Sequence, residues 1–280
     1  MSRARFSFFS QYSSVYGIVY ALRGDGIPDK RIAQALQSNN QRQALRIALG
    51  SSSARHRYLA LGLLFLKERL HWLPPFQVML WVFRIVGPSR SWFAYLQQQN
   101  RSSLVLTKEI LGQTPSRAEL VLDVGSGLGD LPKMFPVNRK RRWICIDKNF
   151  FSLFLAQLYN KRQDITYVCG DIELQRLFPD RTFERVVCAD CFAYIYEKPT
   201  FTHQVHRLLK SKGTFVMVNV HEEQRGTESW GYGIPHHQMQ GILRKLFTTF
   251  SWYDVRQPKA GPIRRFSLLD STNYSFVAYK

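Results

Sequence analysis

The chain has 280 residues, enough for one large core or for a core with a smaller companion domain, and its 45% hydrophobic content excludes a disordered polymer. Lys and Arg number 39 against 20 Asp and Glu, a formal charge of +19 that attracts polyanions such as nucleic acid or an anionic membrane face and disfavours cationic substrates. Residues 1–115 hold 15 of those bases and 4 acids, a net of +11, so positive charge is concentrated at the front.

The first 24 residues carry Arg3, Arg5 and Arg23 among serines and aromatics, with no acid. That composition fits either a mitochondrial transit peptide or a basic aromatic arm packing on the domain or on RNA, and the arm is preferred. From Ile27 the pattern is helical. Pro28 suits a first helical position, Ile32, Ala35 and Leu36 recur at helical spacing, and Ser38-Asn39-Asn40 breaks the element. Gln41–Leu49 repeats the pattern and stops at Gly50, Ala54–Trp72 is the longest candidate, and Pro74-Pro75 ends it. Phe76–Val86, Ser91–Gln99 and Leu104–Leu111 complete a helical front.

The uncharged runs Tyr58–Leu66 and Leu70–Phe83 are too short or too interrupted for the roughly 20 apolar residues of a membrane span. Trp72, Trp81, Phe83 and Trp92 beside Arg69, Arg84 and Arg90 leave two readings, a surface-lying segment on an anionic membrane or the core of a helical domain, with the second favoured. A polar hinge at Gln97–Asn100 separates residues 1–100, a basic region for docking substrate or a surface, from residues 101–280.

The second part opens on LVLDVGSGLGD at 120–130. A buried strand runs through Asp123 into Gly125, Gly127 and Gly129, and a loop so poor in side chains lets a ligand approach the main chain and presents free N–H groups to it. A short helical stretch, Leu131–Phe135, and a basic turn lead to WICID, a strand ending in Asp147 and followed by Lys148. That acid lies where it can accept hydrogen bonds from two ribose hydroxyls. Asn149–Asn160 reads as helix and Ile165–Cys169 as a third strand, running into Gly170-Asp171-Ile172. Arg185–Ala189 ends at Asp190, HQVHRLLKSKG forms an amphipathic helix stopped by Gly213, and Thr214–Val220 ends at His221. Beyond lie a polar, glycine-containing loop, a helix over His236–Phe247, and two strands, Phe250–Arg256 and Thr272–Tyr279, expected to pair as an antiparallel hairpin. The loop between those strands exposes Lys259, Arg264 and Arg265, as phosphate contacts or as plain solvated charge.

The spacing D-x-G-x-G-x-G departs from the dinucleotide pattern G-x-G-x-x-G. With three strand-terminal acids behind it, the stretch from Glu119 to Lys280 resembles the class I S-adenosylmethionine (SAM) dependent methyltransferases. The resemblance implies an α/β fold, a doubly wound, seven-stranded, mostly parallel Rossmann-like sheet, here preceded by an all-helical N-terminal domain. It implies SAM as cofactor, held by Asp123, Gly125, Ser126, Gly127 and Gly129, by Asp147 and Lys148 at the ribose, by Asp171 and Ile172 at the adenine, and by Asp190. It also implies that loops after the fourth and fifth strands roof the pocket, so the loop after His221 is a candidate lid.

If the acceptor needs a base, Asp190, His221, Glu222, His236 and His237 are candidates, with Asp190 and His221 preferred as catalytic residues. Asp190-Cys191-Phe192-Ala193 lacks the signature of exocyclic amino methylation, which disfavours N6-adenine. Cys145, Cys169, Cys188 and Cys191 read as small apolar fillers in a reducing compartment, and Cys188-x-x-Cys191 as half of a zinc site that nothing completes, so no metal is expected. RNA is the expected acceptor, rRNA or tRNA; a small-molecule or lipid and quinone-type acceptor is the alternative, and a non-catalytic SAM-binding scaffold the third. A cytoplasmic protein is expected, with the mitochondrial matrix as the alternative.

Overall fold

The computed structural model describes residues 101–113, 119–138, 140–147, 159–160, 162–169, 177–195, 197–222, 233–253 and 273–280, with single positions at 153, 156 and 172 and a few between 66 and 81. The chain divides into two compact units, residues 1–99 with 148–161 and 168–170, and residues 100–147, 162–167 and 171–280.

In the first unit Leu66, Val78 and Trp81 are helical, and the amides of Leu70 and Trp72 both donate to the Leu66 carbonyl just before Pro74-Pro75. Leu70, Trp72, Val78 and Trp81 are exposed. Leu153, Ala156 and Tyr159 are helical, and Asn160 donates to the Ala156 carbonyl at 2.8 Å, within the helix expected at 149–160. The arm at 1–24, the segments expected to be helical at 27–49 and 91–99, the hinge at 97–100 and most of 54–86 lie outside the described residues.

The second unit is built on a seven-stranded sheet. Its strands are β1 (Glu119–Val124), β2 (Arg141–Asp147), β3 (Ile165–Cys169), β4 (Phe183–Ala189), β5 (Leu209–His221), β6 (Thr249–Tyr253) and β7 (Asn273–Tyr279), in the order β3-β2-β1-β4-β5-β7-β6. β1 pairs in parallel with β2 and β4, and β4 with β5, whereas β7 runs antiparallel to both of its neighbours. The centre reads as near-continuous apolar runs because parallel strands are covered on both faces, and Val121, Leu122, Val186, Val187, Phe215, Val216 and Met217 are fully buried.

Helices flank these strands, among them α1 (Ser102–Gly112), α2 (Asp130–Lys133), α3 (Lys198–Leu208) and α4 (His236–Leu246). α1 packs on β4 and β5 through Leu104, Thr107, Ile110 and Leu111. Phe201 of α3 meets Phe215 of β5, and Phe215 meets Phe276 of β7 edge to face at 5.4 Å, an aromatic core that seats the antiparallel strand.

Two expectations are corrected here. The helix after β4 ends at Leu208 rather than at Gly213, because Leu209 turns to an extended conformation and opens β5. The left-handed turn falls on Lys212 (φ 63°), while Gly213 is needed because a Cβ there would stand 2.8 Å from the Lys210 carbonyl. Cys188 and Cys191, read as separate apolar fillers, are joined as a disulfide, since the chain bends back at Asp190 after β4. Cys145 is buried and free.

Candidate active site

The carboxyl ends of β1, β2, β4 and β5 bring together most of the residues singled out from the sequence. The glycine loop takes the left-handed conformation three times, at Gly125 (φ 66°), Gly127 (φ 53°) and Gly129 (φ 67°), which only glycine adopts freely. The protein itself uses part of the space freed. A Cβ on Gly125 would fall 2.3 Å from the Cys191 Cβ, and one on Gly129 would lie 2.9 Å from the Tyr167 hydroxyl.

The loop's amides differ from expectation too. Gly125 and Ser126 donate to the Ile146 carbonyl at 2.8 and 3.1 Å, Gly129 donates to the Ser126 carbonyl at 2.8 Å, and Gly127 donates to Asp147 Oδ2 at 2.8 Å. The N–H groups of Gly125, Ser126 and Gly127 hold the loop against the end of β2, and that of Gly129 closes a turn within it, instead of waiting for an anion. Asp147 therefore fixes the loop with one oxygen while standing at the tip of its strand.

Below the loop Asp123 is buried at 3% exposure, and its Oδ2 has no hydrogen-bond partner among the described residues. Burial first, then the negative charges of Asp147 and Asp130, pushes its carboxyl up to about 8, against an opposing pull from Arg101. Asp130, in the first turn of α2, pairs with Lys133 at 3.1 Å and with Arg101 at 3.6 Å. Ile172 is buried; Lys148 and Asp171 lie outside the described residues.

At the end of β4, Asp190 takes a left-handed conformation (φ 61°), and Asn219 on β5 does the same (φ 67°). The two side chains meet. Ser103 of α1 donates to Asp190 Oδ2, Asn219 Nδ2 donates to Asp190 Oδ1 at 2.7 Å, and Asn273 Nδ2 donates to Asn219 Oδ1 at 2.8 Å. Asp190 is thus an oriented acceptor with both oxygens engaged. Tyr194 follows on the same loop, 42% exposed, its phenol raised by burial and then by the Asp190 charge. Sequence reading missed Ser103, Asn219, Asn273 and Tyr194, because an isolated polar residue at a strand or helix end shows no spacing.

The histidines separate. His221 closes β5, and its carbonyl accepts from Ile234 at 2.9 Å. His236 is a packing residue, 8% exposed, its ring 4.1 Å from Trp252 and edge-on to Tyr274, with its imidazole pushed below the ordinary range by burial. Glu222 accepts from the His236 amide at 3.5 Å, and His237 is exposed on α4. The lid segment at 223–232 and the basic loop with Lys259, Arg264 and Arg265 lie outside the described residues. No cluster of metal-ligating side chains is found among the described residues.

A sheet in this order, with a glycine loop after β1 and acids at the tips of its neighbours, defines a class I methyltransferase fold. Residues 122–217 match the family described as methyltransferase domain, and the chain carries a SAM-dependent methyltransferase domain of class I. No curated protein matches the chain. Among solved structures, the complex of the Haloferax volcanii Trm112 methyltransferase activator with its methyltransferase is 18% identical, covers 71% of this chain and 96% of that one, and has a TM-score of 0.54. A SAM-dependent methyltransferase of Thermotoga maritima, described as a possible histamine N-methyltransferase, is 14% identical over 72% of this chain and 99% of its own, with a TM-score of 0.52. A TehB-like SAM-dependent methyltransferase of Corynebacterium glutamicum is 14% identical over 69% of this chain and 98% of its own, with a TM-score of 0.50. The cofactor is S-adenosylmethionine, and the residues present suit it: a cationic nucleoside finds a buried carboxyl whose Oδ2 has no partner among the described residues, and a strand-end carboxylate, beside a loop with three glycines. Among the described residues no helix is long and apolar enough to cross a membrane.

Proposed function

We propose that the enzyme methylates RNA, with residues 1–100 as the docking region and residues 101–280 as the catalytic domain. The observation that carries the acceptor assignment is the net charge of +11 in residues 1–115, which a small neutral acceptor does not call for. In this reading Gly125, Ser126, Gly127 and Gly129 receive the methionine end of the cofactor, with Asp123 beneath. Asp147 and Lys148 hold the ribose, Asp171 and Ile172 the adenine, and Asp190 borders the transferred methyl.

Bound SAM supplies a methyl group already activated by its sulfonium, so the chain's task is to align a nucleophile and keep water out. Asp190 and His221, at neighbouring strand ends, are the residues proposed to orient the acceptor or take its proton. For Asp190 the support is its fixed carboxylate, steered by Ser103 and Asn219. A lipid or apolar small molecule is the second reading, favoured by the exposed Leu70, Trp72, Val78 and Trp81, which phosphate contacts do not require.

Calorimetric titration of the full chain with SAM tests the cofactor placement. Gly127→Arg is expected to abolish binding, and Asp147→Ala to weaken it about tenfold or more, as loss of a hydrogen bond to a charged group does. Unchanged affinity in either variant overturns the placement. Labelling of cell extract with methyl-labelled SAM, with and without ribonuclease, tests the acceptor; label that survives ribonuclease and partitions into organic solvent selects the second reading.

A further inference from the structure

The buried acid beneath the glycine loop has no role in holding the loop. Asp147 binds the Gly127 amide and Asp130 binds Lys133 and Arg101, whereas Asp123 Oδ2 is sealed from water without a partner among the described residues. The groups facing it come from each neighbouring element: Asp147 and the buried neutral thiol of Cys145 on β2, Asp130 on α2, and Arg101 just ahead of α1, while its β4 register partner is the apolar Val187. The two cations nearby, Arg101 and Lys133, are both engaged by Asp130, and neither bonds to Asp123 Oδ2. An ionised Asp123 there would be a third negative charge in a dry place, which is unfavourable until a cation arrives.

SAM is that cation, carrying one more positive charge than its product S-adenosylhomocysteine, which is otherwise nearly the same molecule. We propose that Asp123 distinguishes donor from spent product by charge: its carboxyl keeps a proton in the empty enzyme, releases it to solvent when the sulfonium docks, and retains it when the neutral thioether occupies the same place. Each binding event then balances as cofactor plus protonated enzyme giving complex plus one solvent proton for the donor, and no released proton for the product. Release of product after transfer is assisted in turn, because the charge that stabilised the carboxylate leaves with the methyl group. This rests on the cofactor placement proposed above.

The test is titration calorimetry of the full chain with SAM and with S-adenosylhomocysteine, each in two buffers of different ionisation heat, between about pH 6 and about pH 9. The wild type is expected to release protons with the donor and none with the product. The ratio of donor to product affinity should rise by up to about tenfold per pH unit and level off above about pH 8, where the empty enzyme is already ionised. In Asp123→Asn that ratio should lose this rise; the ligands' own amino groups titrate alike in both proteins, so the difference between them is the readout. Equal proton release with both ligands, or a variant that keeps the wild-type slope, overturns the proposal. Should the variant not fold, the proton count on the wild type decides by itself. Binding that survives Gly127→Arg would condemn the cofactor placement instead, a separate result.

Discussion

At the scale of single residues, Asp123 shows how a carboxylic acid can be neutral near physiological pH. Its folded value of about 8 stands above the ordinary 3.8, so the native state binds the proton more tightly than the unfolded chain does. The stability this confers is complete below the ordinary value and is lost as pH climbs through about 8. Asp123→Asn, which cannot ionise, should therefore gain melting temperature relative to wild type steadily across that window in the ligand-free protein. A pH-independent difference between the two melting curves would contradict the assignment. The position of this acid was legible because the motif places it two residues before Gly125. Its protonation was not, since that depends first on burial beneath other elements and then on the charges of Asp147 and Asp130 that arrive with them. The glycines were equally half legible. Their left-handed turns follow from sequence, but Gly125 and Gly129 also yield to Cys191 and Tyr167, which no local pattern reveals.

Among elements, the strand-end acids were readable because each ends a run of apolar residues, and the antiparallel finish because its last segment, 272–279, alternates in sequence. The loop that caps β2 was not: the amides of Gly125, Ser126 and Gly127 are consumed by Ile146 and Asp147, a pairing that exists only once β1 and β2 lie side by side. The opposite end of the sheet is organised by charge. Glu119 at the start of β1 is bound by Arg141 of β2 and at 2.9 Å by Arg185 of β4, and both guanidiniums also reach the Leu111 carbonyl at the C-terminal end of α1. All three charges are largely withdrawn from water. Removing the acid leaves two buried cations facing each other, so Glu119→Gln should cost about 3–5 kcal/mol, read from urea unfolding. A loss under about 1 kcal/mol would mean that the cluster is screened as a surface pair is.

For the whole molecule the governing quantity is the uneven charge. If the front docks RNA, affinity must fall steeply with salt, because each neutralised phosphate releases counterions. Neutralising Arg42, Arg46, Arg55 and Arg57 should lower RNA affinity and flatten its salt slope, by up to about one unit for every phosphate these arginines would otherwise pair with, while leaving SAM binding untouched. Filter binding across a salt series checks both halves of that statement, and unaltered RNA affinity in the variant would leave the positive charge without a nucleic-acid role.

The order of the strands has a mechanical outcome as well. β6 reaches the sheet solely by way of β7, which is wedged between it and β5. The two must peel away in tandem. Any fluctuation that unzips β7 strips the neighbouring rim, while the glycine-loop half of the sheet can stay shut, so methyl donor retention need not follow the breathing of that margin.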